Sequence, residues 1–201
     1  MQNDEILFDE SFGRPLRIDE GVPAFELEAF HAEKIKRLKL TDYKGTWIVL
    51  VFYPGDFTFI CPTELEELAN HYAEFQKENA EVLCVSTDGV YVHKAWHDTS
   101  ASVKKITFPM IADRTGKLSR IFGVYLEETG EALRGSFIID PEGRLKTIEI
   151  HHNDIGRSSR ELMRKLKAAR FVAEHGGKVC PASWEPGEDT LEPGLDLVGK
   201  L

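Results

Sequence analysis

No stretch of this 201-residue chain is long and apolar enough to cross a bilayer. The clearest hydrophobic run, Trp47 to Tyr53, is stopped by Pro54, whereas a spanning helix needs about 20 apolar residues. Positive charge is in deficit, with 25 Lys and Arg against 34 Asp and Glu and a formal charge of −9. Such a chain repels a phosphate backbone unless its cations gather on one face. The run Lys34-Ile35-Lys36-Arg37 is too small for that and reads as a solvated face, so neither nucleic acid nor membrane is an expected partner. Cysteine is scarce. Cys61, Cys84 and Cys180 form no CxxC pair and no cluster with histidine, which argues against a disulfide framework and a structural zinc site. No glycine-rich fingerprint for flavin or nicotinamide is present, nor any internal repeat or low-complexity linker. Met1 to Glu5 carries acid where a signal peptide carries base, so the expected location is the cytoplasm.

What is present reads as an α/β chain. With 42% hydrophobic and 29% charged residues, the composition suits a folded domain. Thr46 to Phe52 is a β-branched and aromatic run with the length of a buried strand, broken by Pro54-Gly55-Asp56. From Pro62 on, Leu65, Leu68, Ala69, Tyr72 and Phe75 recur at helical spacing, and Glu64, Glu66 and Glu67 suit the positive end of the helix dipole. Cys61 thus falls where a loop becomes a helix. Glu81 to Ser86 reads as a second strand, and Val90 to about Ser102 as a second helix, giving a βαβ core with parallel pairing. Gly135–Asp140 and Leu145–Ile150 flank Asp140-Pro141-Glu142-Gly143 as a β-hairpin, which makes the sheet mixed. Short strands are expected before Phe30. A last helix, capped by Ser158 or Ser159, carries Leu162, Leu166, Ala169 and Ala173 to Gly176-Gly177. Residues 1–175 therefore read as the body and 176–201 as an irregular, proline-containing tail that holds Cys180. Leu191, Leu195, Leu197, Val198 and Leu201 would dock that tail.

The position of Cys61 is chemically suggestive. A thiol with an ordinary pKa near 8.5 is only about 3% thiolate at pH 7. A helix start, exposed backbone N–H groups and a nearby cation all favour the charged form. Pro62 fits a first helical turn without removing a needed donor. A buried cysteine beside a helix cap is the alternative reading. Cys84 alternates within Val82-Leu83-Cys84-Val85 and reads as a small buried apolar residue. His93, His97, His151 and His152 read as structural or surface groups, although the adjacent pair His151-His152 has weak metal-binding potential.

Tyr53-Pro54-Gly55-Asp56-Phe57-Thr58-Phe59-Ile60-Cys61-Pro62-Thr63-Glu64-Leu65 resembles the active-site signature of typical two-cysteine peroxiredoxins, most closely that of the bacterial alkyl hydroperoxide reductase peroxidase subunit. Pro54, Thr58 and Cys61 match its Pro-x-x-x-Thr-x-x-Cys core, and Glu64 matches as well. Leu133-Arg134-Gly135-Ser136-Phe137 and Gly177-Lys178-Val179-Cys180-Pro181-Ala182-Ser183-Trp184 match two further segments in the expected order. The likeness extends through His93 to His97 and the terminal Leu195 to Leu201. It implies a thioredoxin-like fold with a mixed central sheet, flanking helices, added N-terminal strands and an irregular C-terminal tail.

By that resemblance Cys61 is the peroxidatic cysteine and Cys180 the resolving one, which forms a disulfide with Cys61 of another subunit. Thr58 would hydrogen-bond thiolate and peroxide, Arg134 would stabilise charge, Pro54 would shield the pocket, and Glu64 would orient an arginine. No cofactor or metal is implied. The implied partners are a second copy in an antiparallel dimer, a decamer of five dimers, and a flavoprotein disulfide reductase or thioredoxin-like reductant. The chain departs from peroxide-sensitive relatives: Val103 to Pro109 lacks their Gly-Gly-Leu-Gly insertion, and the end lacks their Tyr-Phe extension. Resistance to sulfinic acid formation is the expectation. Two other functions remain open: a thiol–disulfide oxidoreductase, though Pro62-Thr63-Glu64 follows Cys61 in place of a CxxC, and an oligomeric chaperone or scaffold.

Overall fold

The computed structural model describes residues 13–200. The Met1 to Glu5 segment behind the location expectation, and the last apolar tail residue, Leu201, lie outside it. Among the described residues no helix is long and apolar enough to cross a membrane. Two compact units divide at Ser159 and Arg160.

The first unit is built on a seven-stranded mixed sheet. Strand β3 (Trp47–Phe52) is buried at all six positions. It pairs in parallel with β4 (Ala80–Ser86) and antiparallel with β8 (Arg134–Ile139). A strand covered on both faces needs apolar residues throughout, which is why its sequence shows no alternation. On the far side of β4 lies β5 (Met110–Ala112), then β1 (Glu26–His31) and the edge strand β2 (Lys34–Lys39); β9 (Leu145–His151) closes the opposite edge. The order is β2-β1-β5-β4-β3-β8-β9, with β3, β4 and β5 parallel to one another and the remaining pairs antiparallel. A separate two-stranded ribbon joins β6 (Tyr125–Leu126) and β7 (Glu131–Ala132).

The helices follow from the same patterning. In α1 (Cys61–Lys77), Leu65, Leu68 and Phe75 are buried, and the helix packs against β4. Helix α2 (Val90–Thr99) packs on β1 and β5. It is shorter than the expected run to Ser102, because Thr99 Oγ1 donates back to Ala95 O at 2.7 Å and Ser100 turns to extended backbone. Such local side-chain bonds compete with continuation of a helix. A single 3-10 turn follows at Val103–Lys105. The short α3 (Lys117–Ile121), like β5 and the β6–β7 ribbon, has no counterpart in the sequence reading, since each offers too few residues for a period to emerge, and the six-residue edge strand β2 is hidden because it is basic and exposed at five of its six positions.

The β8–β9 hairpin turns as expected. Gly143 sits at φ +82° and donates to Asp140 O, while Asp140 Oδ1 accepts from the N–H groups of Glu142 and Arg144. In the core below, Phe52, Phe122 and Phe137 meet with ring centroids 4.6 to 5.5 Å apart.

The second unit holds nearly all of α4 (Ser159–Glu174) and the tail. Phe171 packs on Trp184 at 4.9 Å, Arg164 donates to Trp184 O, and Val179 pairs with Leu191 through two backbone bonds. Among the described residues the tail carries no helix beyond a 3-10 turn at Leu195–Leu197.

Gly135 links core to site. A Cβ there would lie 2.7 Å from both Phe137 and Val124, and neither can withdraw because both are fully buried. Gly135→Ala should therefore lower stability by about 1–3 kcal/mol, measured as a fall in the urea midpoint at unchanged slope.

Candidate active site

The site begins where β3 ends. The chain leaves the sheet through Tyr53 and Pro54, both buried, and returns as α1, whose first residue is Cys61. Pro62 occupies the first turn, where a missing N–H leaves no intrahelical bond unmade. No side chain caps this helix start; Pro62 has no N–H, and the N–H groups of Thr63 and Glu64 both donate to Ile60 O. Cys61 is fully buried.

Strand β8 brings up the cation. Arg134 Nη1 donates to Cys61 Sγ at 3.3 Å and to Glu64 Oε2 at 2.6 Å, while its Nε donates to Asn153 O at 2.8 Å. Charge-assisted bonds of this kind stabilise negative charge on sulfur and fix the guanidinium. Glu64 lies one turn along α1 from Cys61 and is buried as well.

A second arginine, absent from the sequence reading, completes the cluster. Arg157 binds Glu64 through its backbone N at 2.7 Å, Nε at 2.9 Å and Nη2 at 3.0 Å, and its Nη1 donates to Gly135 O at 2.7 Å. Arg157 stands in the irregular stretch between β9 and α4, where no periodicity marks it. Burial acts to raise the Glu64 pKa, but the hydrogen bonds and charge of Arg157, with the charge of Arg134, outweigh it and hold the carboxyl below its ordinary value. Glu64 thus contacts two arginines.

Thr58 directs its hydroxyl hydrogen to Gly55 O at 2.8 Å, so engaging a thiolate as donor requires that hydroxyl to turn. Pro54 is buried beside this loop. The loop is tied down through Asp56, whose carboxylate accepts from Tyr53 Oη at 2.7 Å and meets His93 Nδ1 at 2.8 Å. Its backbone N donates to Asp88 Oδ2. His93 is therefore structural, as expected. One residue on, Phe57 adopts φ +56°, an uncommon region for a bulky side chain.

Cys84 is fully buried, and burial, reinforced by the charge of Asp56, pushes its thiol well above the ordinary value. It is a core residue. Cys180 is partly exposed in the second unit, 3.9 Å from Ala168 O; burial raises its thiol pKa against the opposing charge of Arg164.

Residues 18–148, which hold Cys61, Glu64 and Arg134, match the model of the AhpC/TSA family. The chain belongs to that family. It is a peroxiredoxin, a thiol-dependent peroxidase, and its mixed sheet with flanking helices is the thioredoxin-like peroxiredoxin fold. Residues 168–198 of this peroxiredoxin, including Cys180, also match the C-terminal domain of 1-Cys peroxiredoxin.

Alkyl hydroperoxide reductase C of Pseudomonas aeruginosa is 53% identical over 184 residues, covering 92% of this chain and 98% of the relative. That of Staphylococcus aureus is 50% identical over 186 residues, with the same coverage. The crystal structure of Enterococcus faecalis AhpC, 49% identical, superposes with a TM-score of 0.80 over 82% of this peroxiredoxin and 98% of that chain. The reduced 2-Cys peroxiredoxin of Plasmodium vivax, 30% identical, gives 0.83 over 88% and 93%.

Because the folded Glu64 pKa lies below its ordinary value, its contribution is present above pH 4.5 and is lost as pH falls through the folded value. Glu64→Gln should destabilise the peroxiredoxin by about 3 kcal/mol at pH 7. In paired denaturation curves the gap from the parent protein should narrow as pH falls below 4.5.

Proposed function

We propose that this peroxiredoxin reduces hydrogen peroxide and organic hydroperoxides with Cys61 as the peroxidatic cysteine and Cys180 as the resolving cysteine of a second subunit. The observation that carries the reading is the Arg134 guanidinium 3.3 Å from Cys61 Sγ at the first residue of α1.

Cys61 thiolate attacks the distal peroxide oxygen and the O–O bond breaks. The sulfur becomes sulfenic acid, and the other oxygen leaves as alkoxide or hydroxide and is protonated to alcohol or water. Arg134 is placed to stabilise both the sulfur charge and the developing oxyanion, the advantage of donors fixed beforehand. Glu64 and Arg157 act through Arg134, holding it in place. Pro54 walls off the sulfur, and Thr58, once its hydroxyl turns from Gly55, positions the peroxide.

Cys180 thiol then displaces hydroxide from the sulfenic sulfur, giving a disulfide and water. Bridged cysteines bring their Cα atoms within about 7 Å, so the first turn of α1 unwinds to release the fully buried Cys61. Phe57 at φ +56° lowers the cost of that step, because the strain it stores is relieved when the loop opens. Without the Gly-Gly-Leu-Gly insertion between Val103 and Pro109, less packing restrains this opening, so the sulfenic acid is resolved before a second peroxide makes it sulfinic.

The tail, residues 176–201, docks on the partner subunit of an antiparallel dimer, and five dimers form a decamer. Support comes from apolar groups left in solvent: Leu195 and Phe59 are each 93% exposed, and Tyr91 and Val198 are 77% and 76% exposed. A flavoprotein disulfide reductase or a thioredoxin-like protein supplies the two electrons that restore both thiols. The acidic surface and the free thiols suit a reducing cytoplasm.

One equivalent of hydrogen peroxide added to reduced protein should give a covalent dimer on non-reducing electrophoresis, with Cys61 linked to Cys180 by peptide mapping. Cys180→Ser should abolish the dimer while Cys61 still becomes sulfenic acid; an unreacted Cys61 in the parent protein would overturn the reading. Arg134→Met leaves Glu64 paired with Arg157 and should lower kcat/KM for peroxide by about 10²–10³-fold in stopped-flow assays, with little loss of thermal stability.

A further inference from the structure

Away from the peroxide site, the last turn of α2 meets the tight turn between β1 and β2. His97 is 8% exposed, and its Nε2 lies 3.2 Å from Ile106 O. A carbonyl can only accept, so Nε2 carries the hydrogen, and in the neutral imidazole Nδ1 then presents a lone pair. That Nδ1 is buried and has no hydrogen-bond partner. An unpartnered polar atom in such a position calls for an explanation.

Two carboxylates face it. Glu33 Oε1 is 3.6 Å from Nδ1 and Asp98 Oδ1 is 3.9 Å away, and the three groups offer ligand atoms all within 4.8 Å of one another. These separations are too long for hydrogen bonds. They are close to the edge of a tetrahedron around a metal ion: bonds of about 2.1 Å place neighbouring ligands roughly 3.4 Å apart. The carbonyl of Ile106 fixes the imidazole tautomer and ring orientation, as second partners of metal-bound histidines do.

We propose that Glu33, His97 and Asp98 bind a divalent transition-metal ion, of the class that accepts imidazole together with carboxylate, such as zinc. Glu33 and Asp98 have exposed side chains and close on the ion from the turn and the helix respectively. Beside the site lies a cavity of about 300 Å³ lined by Phe30, Glu33, His97, Lys104 and Thr107, with room for water or an anion as fourth ligand. Lys94 Nζ lies 2.7 Å from Asp98 Oδ2 and 3.5 Å from Glu33 Oε2. It holds the outer oxygens and leaves the inner pair toward His97. Its charge, with that of Lys104 on the cavity wall, opposes the cation and weakens the site. Binding would fasten the β1–β2 turn to α2, the helix that also supplies His93 to the active-site loop.

The test uses the full-length protein without an affinity tag, carrying Cys61→Ser and Cys180→Ser so that no reactive thiol competes for metal. Isothermal titration with zinc chloride should show one site per chain. Glu33→Gln and Asp98→Asn, each at an exposed side chain and so compatible with folding, should each weaken that site at least tenfold. In ¹⁵N spectra of the imidazoles, zinc should shift His97 Nδ1 and leave Nε2 protonated. Absence of binding at millimolar zinc would overturn the proposal. So would binding that both variants leave unchanged, or zinc shifts that fall on His151 and His152 in place of His97.

Discussion

The active end of this peroxiredoxin depends on one buried carboxylate. Glu64 accepts hydrogen bonds from Arg134 and from Arg157, and the Arg134 nitrogen that reaches it, Nη1, also donates to Cys61 Sγ. Two guanidiniums and one carboxylate leave net positive charge in a nearly water-free space, and a thiolate would balance it. Ion clusters of this kind add little to stability compared with apolar packing, since desolvation offsets their attraction. Their value lies in geometry: Glu64 and the Asn153 carbonyl hold Arg134 so that one N–H is directed at sulfur.

The same arrangement ties distant parts of the chain to Cys61. Arg134 belongs to the edge of the central core on β8, Arg157 to the segment after β9, and Glu64 to the helix that Cys61 starts. Tyr53, Asp56, Asp88 and His93 secure the preceding loop by hydrogen bonds, of which those of Asp56 with Tyr53 and His93 are buried. Cys61 therefore sits between two firmly bonded groups, on a short span that includes Phe57 in a left-handed conformation. The contrast is mechanical: bonded supports lie on either side of a short loop that carries few hydrogen bonds of its own.

Much of this was readable from residue order. The apolar run of β3, the helical spacing after Pro62, the turn at Gly143 and the amphipathic α4 each carry a local physical signature, and each element formed where its signature placed it. The short strands β5, β6 and β7 carry none, because two or three residues show no period and their pairing is imposed by neighbours. At the site, Cys61, Thr58, Glu64 and Pro54 share one continuous motif, and Arg134 stands in a second. Arg157 has no motif; it became visible only as the group that accounts for both oxygens of a buried carboxylate.

What the sequence by itself determined is the chemistry available: one cysteine at a helix start preceded by proline and threonine, a core made of βαβ units, and a cysteine-bearing tail unable to continue as helix. These depend on covalent neighbours and short-range periodicity, which the chain carries in any conformation. Tertiary structure decided which cation meets which anion: that Glu64 is shared by two arginines, that Asp56 closes on His93, and that His97 turns an unpaired nitrogen toward Glu33 and Asp98. Apart from Asp98, which adjoins His97, such contacts join residues distant in the chain across packed elements, and their partners are selected by burial, because a charge removed from water must find a counter-charge wherever the fold brings one.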